Sequence, residues 1–299
     1  MTGSAQWDAA LFGVLGLLIG SFLNVVIHRL PRMMERQWAA ECAQFAQSAH
    51  PSPEAGELAT PAPAAQEEVV NLWRPASRCP ACGHKIRWYE NIPVLSYIAL
   101  RARCSGCGAR ISARYPLVEL LTGALFYACA LRWGWSAGAA AWCGFCAALV
   151  ALAFIDWDTT LLPDDITLPL LWAGLLAATL RWIDISPTDA ITGATAGYLS
   201  LWAVYWGFKL ATGKEGMGYG DFKLFAALGA WFGWQSLVPI ILIASVVGAV
   251  VGIAMKFASH LREGKYVPFG PFLAAGGLAA MLWGPGRIMQ ALLGALGLS

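Results

Sequence analysis

Long apolar stretches, separated by short polar segments, run along most of the chain. Each holds close to the roughly 20 apolar residues that an α-helix needs to cross a bilayer. The pattern predicts about eight transmembrane helices, and a count of seven or nine is also compatible with it. Their approximate bounds are 9–28, 115–133, 138–155, 166–183, 189–210, 222–235, 237–256 and 269–293. The sixth segment is short, and Gly284 and Pro285 in the last one predict a break or an early end.

The composition supports an all-α polytopic membrane protein. Hydrophobic residues make up 58% of the 299 residues and charged residues 13%, and the mean hydropathy is +0.57. A soluble domain usually contains about a quarter charged residues. The first apolar run has no basic region before it and no small-residue cleavage site after it, which predicts a retained span rather than a signal peptide. The net charge of +2 is small, and no basic stripe indicates a nucleic-acid partner.

The positions of Lys and Arg predict the orientation of the spans. Eleven of the 20 basic residues lie between Arg29 and Arg114, in the loop after the first span. By the positive-inside rule, that loop faces the cytoplasm. Three further loops then fall on the same side, namely 156–165, 211–221 and 257–268. We therefore expect both termini on the opposite side of the membrane, where short loops such as 184–189 carry no Lys or Arg.

The pattern divides the chain into a first span (1–29), a cytoplasmic loop (30–114) and a core of the remaining spans (115–299). Within the loop, residues 38–70 are rich in Ala, Pro, Glu and Gln. Such a segment has too few large apolar residues to order itself, which predicts a flexible insertion. Residues 72–114 contain the cysteines and predict a small folded module.

Two matching cysteine turns carry the most specific motif in that loop. CPACG at 79–83 and CSGCG at 104–108 each place two thiols around a turn that ends in glycine. Four thiolates from two such turns form the closed tetrahedral site that Zn²⁺ accepts. Cytoplasmic thiols stay reduced, which favours a structural zinc site over disulfides or four free thiols. The predicted ligands are Cys79, Cys82, Cys104 and Cys107.

The other cysteines suggest packing rather than chemistry. Cys143 and Cys146 have the same spacing, but they lie inside an apolar span without a second turn. Free cysteine is a common buried residue, and we interpret this pair as packing. Cys42 and Cys129 have no evident partner in the sequence.

Two aspartates at the ends of predicted spans are candidate catalytic groups. Asp156 lies in the last turn of the third span, where the helix dipole disfavours a carboxylate, so helix stability does not explain it. Asp221 follows the glycines of GMGYG and precedes the sixth span. The chain crosses the membrane twice between them, which returns Asp221 to the same face at a similar depth. Two neighbouring carboxylates share a proton and can act as general base and general acid, as an aspartyl protease requires.

Capping is the alternative interpretation of Asp221, because Asp is a favoured N-cap residue. Gly218 and Gly220 favour the catalytic interpretation, since glycines permit positive φ angles and an unobstructed approach of a peptide. Asp164 and Asp165 follow a proline before the fourth span, and N-capping accounts for them.

Three further groups have more than one interpretation. Asp158 lies close enough to Asp156 to be the alternative first catalytic aspartate. Glu119 is either a functional buried acid or a structural partner of a basic residue, and both interpretations stand on the sequence alone. His28 and Arg29, at the end of the first span, are interpreted as interfacial anchors.

Together these motifs resemble one known family. Gly218-Tyr219-Gly220-Asp221 is similar to the Gly-x-Gly-Asp signature of intramembrane aspartyl proteases. With IDWDTTLLPDDITLP, GSFLNVVIHRLP and YPLVELLTG, the chain closely resembles the type IV prepilin peptidases from end to end, except for insertion 38–70. The resemblance puts the catalytic pair on Asp156 and Asp221 and the cytoplasmic metal site on the four cysteines.

The resemblance implies a bifunctional enzyme of the bacterial inner membrane. Such an enzyme cleaves the basic leader from prepilins and type II secretion pseudopilins, then N-methylates the new terminus with S-adenosylmethionine. The sequence has no strand, glycine-rich turn and helix pattern for that methyl donor, so no residues are assigned to it. Two other classes fit the composition: a proton- or cation-coupled transporter, with the aspartates as a relay, and a structural membrane subunit of a secretion system.

Overall fold

The computed structural model describes residues 3–49, 71–257, 267–295 and 297, and this part of the chain is nearly all α-helical. Its helices are α1 (Gly3–Ala49), α2 (Leu95–Ala99), α3 (Arg114–Trp133), α4 (Ala137–Thr159), α5 (Asp164–Thr179), α6 (Pro187–Thr212), α7 (Tyr219–Phe232), α8 (Leu237–Phe257), α9 (Gly270–Trp283) and α10 (Pro285–Ala295). Two 3₁₀ turns, Trp88–Asn91 and Trp234–Ser236, complete the regular structure of the described residues.

Each of the eight predicted apolar segments corresponds to helix in the structure. The last segment is divided between α9 and α10, as the Gly-Pro pair predicts. Gly284 separates the two helices with a φ angle of 84°, and Pro285 begins α10. The break follows from the chemistry of these two residues, because glycine tolerates positive φ and proline cannot donate a hydrogen bond within a continuing helix.

Three helical segments of the described residues are long and apolar enough to cross a membrane unaided. They are Ala5–Ala46, Ala137–Thr159 and Trp234–Phe257, while Gly270–Trp283 is a shorter apolar helix. Helix α7 has 14 residues, which give it a length of only about 21 Å. The structure therefore shows a helical protein with candidate membrane spans, and the helices between them are shorter or more polar.

Helix α1 continues well beyond the predicted end of the first span. It runs without interruption to Ala49, with Pro31 inside it, so residues 38–49 are helical rather than irregular. This part of the helix is exposed, and its sequence WAAECAQFAQSA is rich in good helix formers, especially alanine. The rest of the predicted insertion, residues 50–70, lies outside the described residues, as does most of the predicted 257–268 loop.

Helix α7 lies at the centre of the bundle, against α5, α6 and α9. Every residue from Leu224 to Phe232 is buried, which explains why this short helix is apolar on all sides. Helices α6 and α7 cross with their backbones in contact at Gly193 and Gly229, where a Cβ on either residue would overlap the backbone of the other helix. Small residues at such crossings let membrane helices approach closely.

The thiols of the apolar core lie against one another. Cys129 Sγ of α3 and Cys146 Sγ of α4 are 3.9 Å apart, and both side chains are fully buried. Cys143 is also buried, at 5% exposure. Cys129 therefore has a neighbour that the sequence does not reveal, because the contact depends on how α3 packs against α4.

The α6–α7 crossing yields a testable prediction. Replacing Gly229 by alanine pushes a methyl group into the backbone of α6, and overpacking of this kind typically costs about 1–3 kcal/mol. The matched control is Gly207→Ala on α6, where an added Cβ meets no atom within 4 Å. Both changes carry the same gain in helix propensity, so their difference isolates the packing. In thermal unfolding of the purified protein, we expect Gly229→Ala to unfold at a lower temperature than Gly207→Ala; equal unfolding temperatures would contradict the packing.

Candidate active site

Asp156 lies in the last turn of α4, as the sequence predicts. Helix α4 ends where Thr160 adopts a left-handed conformation with a φ angle of 56°, and the Thr160 N–H donates to the Asp156 carbonyl oxygen over 2.8 Å. This sharp end turns the chain toward α5 while the Asp156 side chain stays in the interior, at 4% exposure.

Asp221 lies in the first turn of α7 rather than at its N-cap. The N-cap residue is Gly218, and Asp221 is the third residue of the helix. Its side chain is 7% exposed and accepts a hydrogen bond from the Gly218 backbone N–H. An acid at this position that reaches back to the N-cap N–H forms half of a capping box. Asp221 thus supports the helix end, but from a different position than the capping interpretation expects.

The structure places both carboxylates in one buried site. Asp156 and Asp221 are near enough to interact electrostatically, although they lie on α4 and α7. Asp156 Oδ2 and Asp221 Oδ1 are both fully buried and have no hydrogen-bond partner among the described residues. Buried polar atoms normally have a partner, so two orphaned oxygens at one site indicate a place for water or a ligand.

The N-terminus of α9 forms another wall of the site. The Gly270 backbone N–H donates to the Asp156 carboxylate, and a Cβ on Gly270 would lie 2.5 Å from Asp156 Oδ2. A side chain at this position would displace the Asp156 carboxylate from where it now lies. The sequence argument missed Gly270, and the only local signal is a Gly-Pro pair at the start of an apolar segment.

The glycines beside Asp221 have different roles from those predicted. Gly218 has a φ angle of −83°, and neither glycine adopts a positive φ angle, so the prediction of special backbone freedom is wrong. Gly220 allows close packing, since a Cβ there would lie 2.7 Å from the Leu162 Cβ. Gly218 is exposed and open, with no atom nearer than Asp221 Oδ2, 3.9 Å from where its Cβ would be. Room for an approaching peptide therefore exists at Gly218 and not at Gly220.

Asp158 belongs to a different environment from Asp156. Its carboxylate forms an ion pair with Arg114 over 2.6 Å, and both side chains are one-third exposed. Arg114 also donates to the Phe154 carbonyl oxygen at the end of α4, where a cation complements the helix dipole. The geometry thus separates two aspartates that the sequence leaves as alternatives.

Asp164 and Asp165 lie at the start of α5. The N-cap of α5 is Pro163, so Asp164 and Asp165 occupy the first turn and the N-cap prediction is wrong for both. Acids in a first turn still complement the helix dipole. Asp164 also binds Lys223 over 2.7 Å, which links the starts of α5 and α7.

The two cysteine turns of the loop have the same backbone structure. Gly83 and Gly108 have φ angles of 72° and 71°, and each donates its N–H to the carbonyl of the first cysteine of its turn over 2.9 Å. The four sulfurs, from Cys79, Cys82, Cys104 and Cys107, all lie within 4.8 Å of one another. Zn–S bonds of about 2.3 Å in a tetrahedron require sulfurs about 3.8 Å apart. The cluster therefore fits one tetrahedral metal ion.

Backbone amides and one glutamate support this cluster. The N–H groups of Ala81 and Cys82 lower the pKa of the Cys79 thiol to about 7, which favours the thiolate that a metal binds. Glu90 accepts hydrogen bonds from the Arg87 N–H (2.8 Å) and from Ser105 Oγ (2.6 Å). These bonds lower the pKa of Glu90 to about 2. Because Ser105 belongs to the second turn and Arg87 follows the first, Glu90 ties the two turns together, a role that sequence spacing does not reveal.

Glu119 and Arg29 hold the loop against the helices. Glu119 Oε2 accepts the Val94 N–H over 2.8 Å, so its partner is a backbone amide and not the basic residue that one interpretation expects. Arg29 donates to the carbonyl oxygens of Asn71 and Pro75 over 2.9 and 2.7 Å. In the structure Arg29 therefore holds the protein's own loop, and its role as an interfacial anchor stays a prediction.

Two family models match consecutive parts of the chain. Residues 14–133 match the bacterial peptidase A24 N-terminal domain, and residues 143–253, which contain both aspartates, match the type IV leader peptidase family. No solved structure matches the chain.

Curated relatives match over nearly the whole chain. A protein of Aeromonas salmonicida is 52% identical over 92% of this chain and 90% of its own length. Relatives from Burkholderia pseudomallei (52% identical, 91% of this chain and 84% of its own length) and Pseudomonas aeruginosa (51%, 91% and 89%) are equally similar. All three are named prepilin leader peptidase/N-methyltransferase. Matches of this identity and coverage show that the chain belongs to the type IV leader peptidase family.

Proposed function

We propose that this protein cleaves the leader peptide from type IV prepilins and type II secretion pseudopilins and N-methylates the new terminus. The observation that carries the proposal is the pair of buried carboxylates, Asp156 and Asp221, each with one oxygen that has no hydrogen-bond partner in the described part of the chain. The names of the relatives supply the substrate class and the second activity.

Peptide hydrolysis follows from the chemistry of such a pair. Two adjacent carboxylates in a desolvated site hold one proton between them. The ionised member takes a proton from a water molecule, whose oxygen then forms a bond to the carbonyl carbon of the scissile peptide. The protonated member donates to the peptide nitrogen as the C–N bond breaks, so the pair acts as general base and general acid. The orphaned oxygens of Asp156 and Asp221 are the atoms that we assign to the water.

The proposed topology puts this site where a prepilin presents its junction. We propose that the eight predicted segments all cross the bacterial inner membrane, with residues 30–114 in the cytoplasm and both termini in the periplasm. The concentration of Lys and Arg in the first loop supports this orientation. A basic leader followed by an apolar helix then has its junction at the cytoplasmic interface, level with Asp156 at the end of α4.

We further propose that Zn²⁺ binds the four cysteines as a structural ion. Zinc would join two turns that have little apolar core of their own, as in other small metal-dependent modules. The methyl donor is S-adenosylmethionine in this proposal. No residue is assigned to it, because the described part of the chain has no strand followed by a glycine-rich turn and a helix.

Isosteric amide variants test the catalytic pair. Asp156→Asn and Asp221→Asn remove the ionisable groups at nearly constant volume, and loss of general acid–base catalysis costs about 100-fold or more in rate. We expect each variant to lose cleavage of a purified prepilin to that extent. Asp158→Asn is the matched control, because it changes a neighbouring aspartate that pairs with Arg114 and leaves both Asp156 and Asp221 intact. Cleavage at the wild-type rate by both pair variants would leave the transporter or structural subunit as the better interpretation.

Elemental analysis tests the metal. Protein purified under reducing conditions should contain about one zinc ion per chain, since four thiolates form one closed site. The Cys82→Ser/Cys107→Ser double variant should lose it, and Cys42→Ser, outside the module, should keep it. Zinc-free wild-type protein would exclude the site.

Mass spectrometry tests the second activity. Co-expression with one prepilin should yield a mature pilin whose terminal amine carries one added methyl group. Asp156→Asn should leave the substrate both uncleaved and unmethylated, because the amine does not exist before cleavage. A mature pilin without the methyl group would reduce the proposal to a peptidase.

A further inference from the structure

The cysteine module exposes an unusual number of large apolar side chains. Trp73 and Trp88 are 78% and 82% exposed, and Leu95 and Ile98 are each 66% exposed. Leu95 and Ile98 are three residues apart on α2, so they share one face of that helix. Exposed apolar groups in such density mark a surface that is covered by something else.

Trp73 fixes the depth of one side of the module. Its ring stacks on Phe22 of α1, with the ring centroids 5.6 Å apart. Phe22 lies six residues before His28 within the apolar part of α1, or about 9 Å from the end of that apolar run. The exposed indole of Trp73 is therefore level with a helix segment that faces lipid.

Glu119 fixes the depth of the other side. Val94, the residue before α2, donates its N–H to Glu119, which lies five residues into α3 and about 7.5 Å below its first residue. Leu117 and Leu120 of α3 are exposed at this level, at 55% and 51%. The start of α2 therefore lies at the depth of these exposed leucines of α3.

The charge of the module favours an anionic surface. Lys85, Arg87, Arg101 and Arg103 are all exposed. The sequence from 71 to 113 contains one acidic residue, Glu90, and its carboxylate accepts a hydrogen bond from within the module. Clusters of basic residues next to apolar side chains bind anionic phospholipid headgroups. A basic leader peptide is repelled by the same charge and suits this face less well.

We propose that the cysteine module inserts Trp73, Leu95 and Ile98 into the headgroup region of the leaflet beside it, with its basic residues on anionic phospholipids. The proposal rests on the proposed function only in that α1 and α3 cross the bilayer; it requires neither cleavage nor methylation. The membrane would then hold the module at a constant height beside the buried aspartates.

Photo-crosslinking in the full-length protein tests the insertion. p-Benzoylphenylalanine replaces Leu95 or Ile98, and each variant is reconstituted in vesicles of phosphatidylglycerol and phosphatidylcholine. A matched variant carries it at Glu41, exposed on α1 and 13 residues beyond His28. After irradiation, mass spectrometry of the digested protein should find several-fold more lipid adduct at 95 and 98 than at 41. Equal yields at all three positions would overturn the proposal.

Two further arms separate the possible occupants. In vesicles of phosphatidylcholine alone, the yield of lipid adduct at positions 95 and 98 should decrease. The yield at Leu117, on the side of α3, should stay the same. Unchanged yields at 95 and 98 would exclude a role for anionic headgroups. Added prepilin should leave the lipid adduct in place, and a crosslink to prepilin instead would identify the face as a substrate surface. Cleavage measured on the same preparations shows whether the peptidase proposal holds independently of this result.

Discussion

The burial of two carboxylates, Asp156 and Asp221, that interact electrostatically is the constraint on which the rest of this structure depends. Charged groups away from water are costly unless they are paired, and close like charges add to that cost. The protein compensates with backbone donors from two helix starts, the Gly218 N–H of α7 for Asp221 and the Gly270 N–H of α9 for Asp156. One oxygen of each carboxylate nevertheless has no hydrogen-bond partner among the residues that the structure describes. A site like this persists only because a tightly packed bundle holds it in place.

That packing is concentrated around α7. The helix is short and apolar on every side, and its backbone touches that of α6 at Gly193 and Gly229. Its other end is held by Trp231, which donates to the Leu170 carbonyl oxygen of α5 over 2.9 Å. A small rotation of α7 would therefore disturb several contacts at once, and Asp221 is positioned as rigidly as the helix that carries it.

The cysteine module is connected to this site through α3 and α4. Arg114 begins α3 directly after the module and pairs with Asp158, two residues from Asp156. Glu119, one turn further along α3, holds the module at Val94. A displacement of the module would therefore be transmitted to the end of α4 through these two contacts. This connection joins the cysteine module to the buried acid pair through contacts within one chain.

The amino-acid pattern alone predicts the helices, the grouping of the four loop cysteines and the common location of Asp156 and Asp221. Apolar runs indicate which segments form buried helices. The four loop cysteines belong to two short turns that can be seen directly in the sequence. The number of predicted membrane crossings between Asp156 and Asp221 is even, which is enough to predict that they lie on the same side. Helix packing, by contrast, buries Asp156 and leaves Asp158 in an ion pair with Arg114, and it sets Gly220 against Leu162. It also places Gly270 beside Asp156 and Glu90 between the two cysteine turns. These contacts depend on how helices that are distant in sequence are rotated and shifted relative to one another. Many such arrangements bury the same apolar residues, so the hydropathy pattern does not distinguish them. Side-chain contacts across the bundle select one of them.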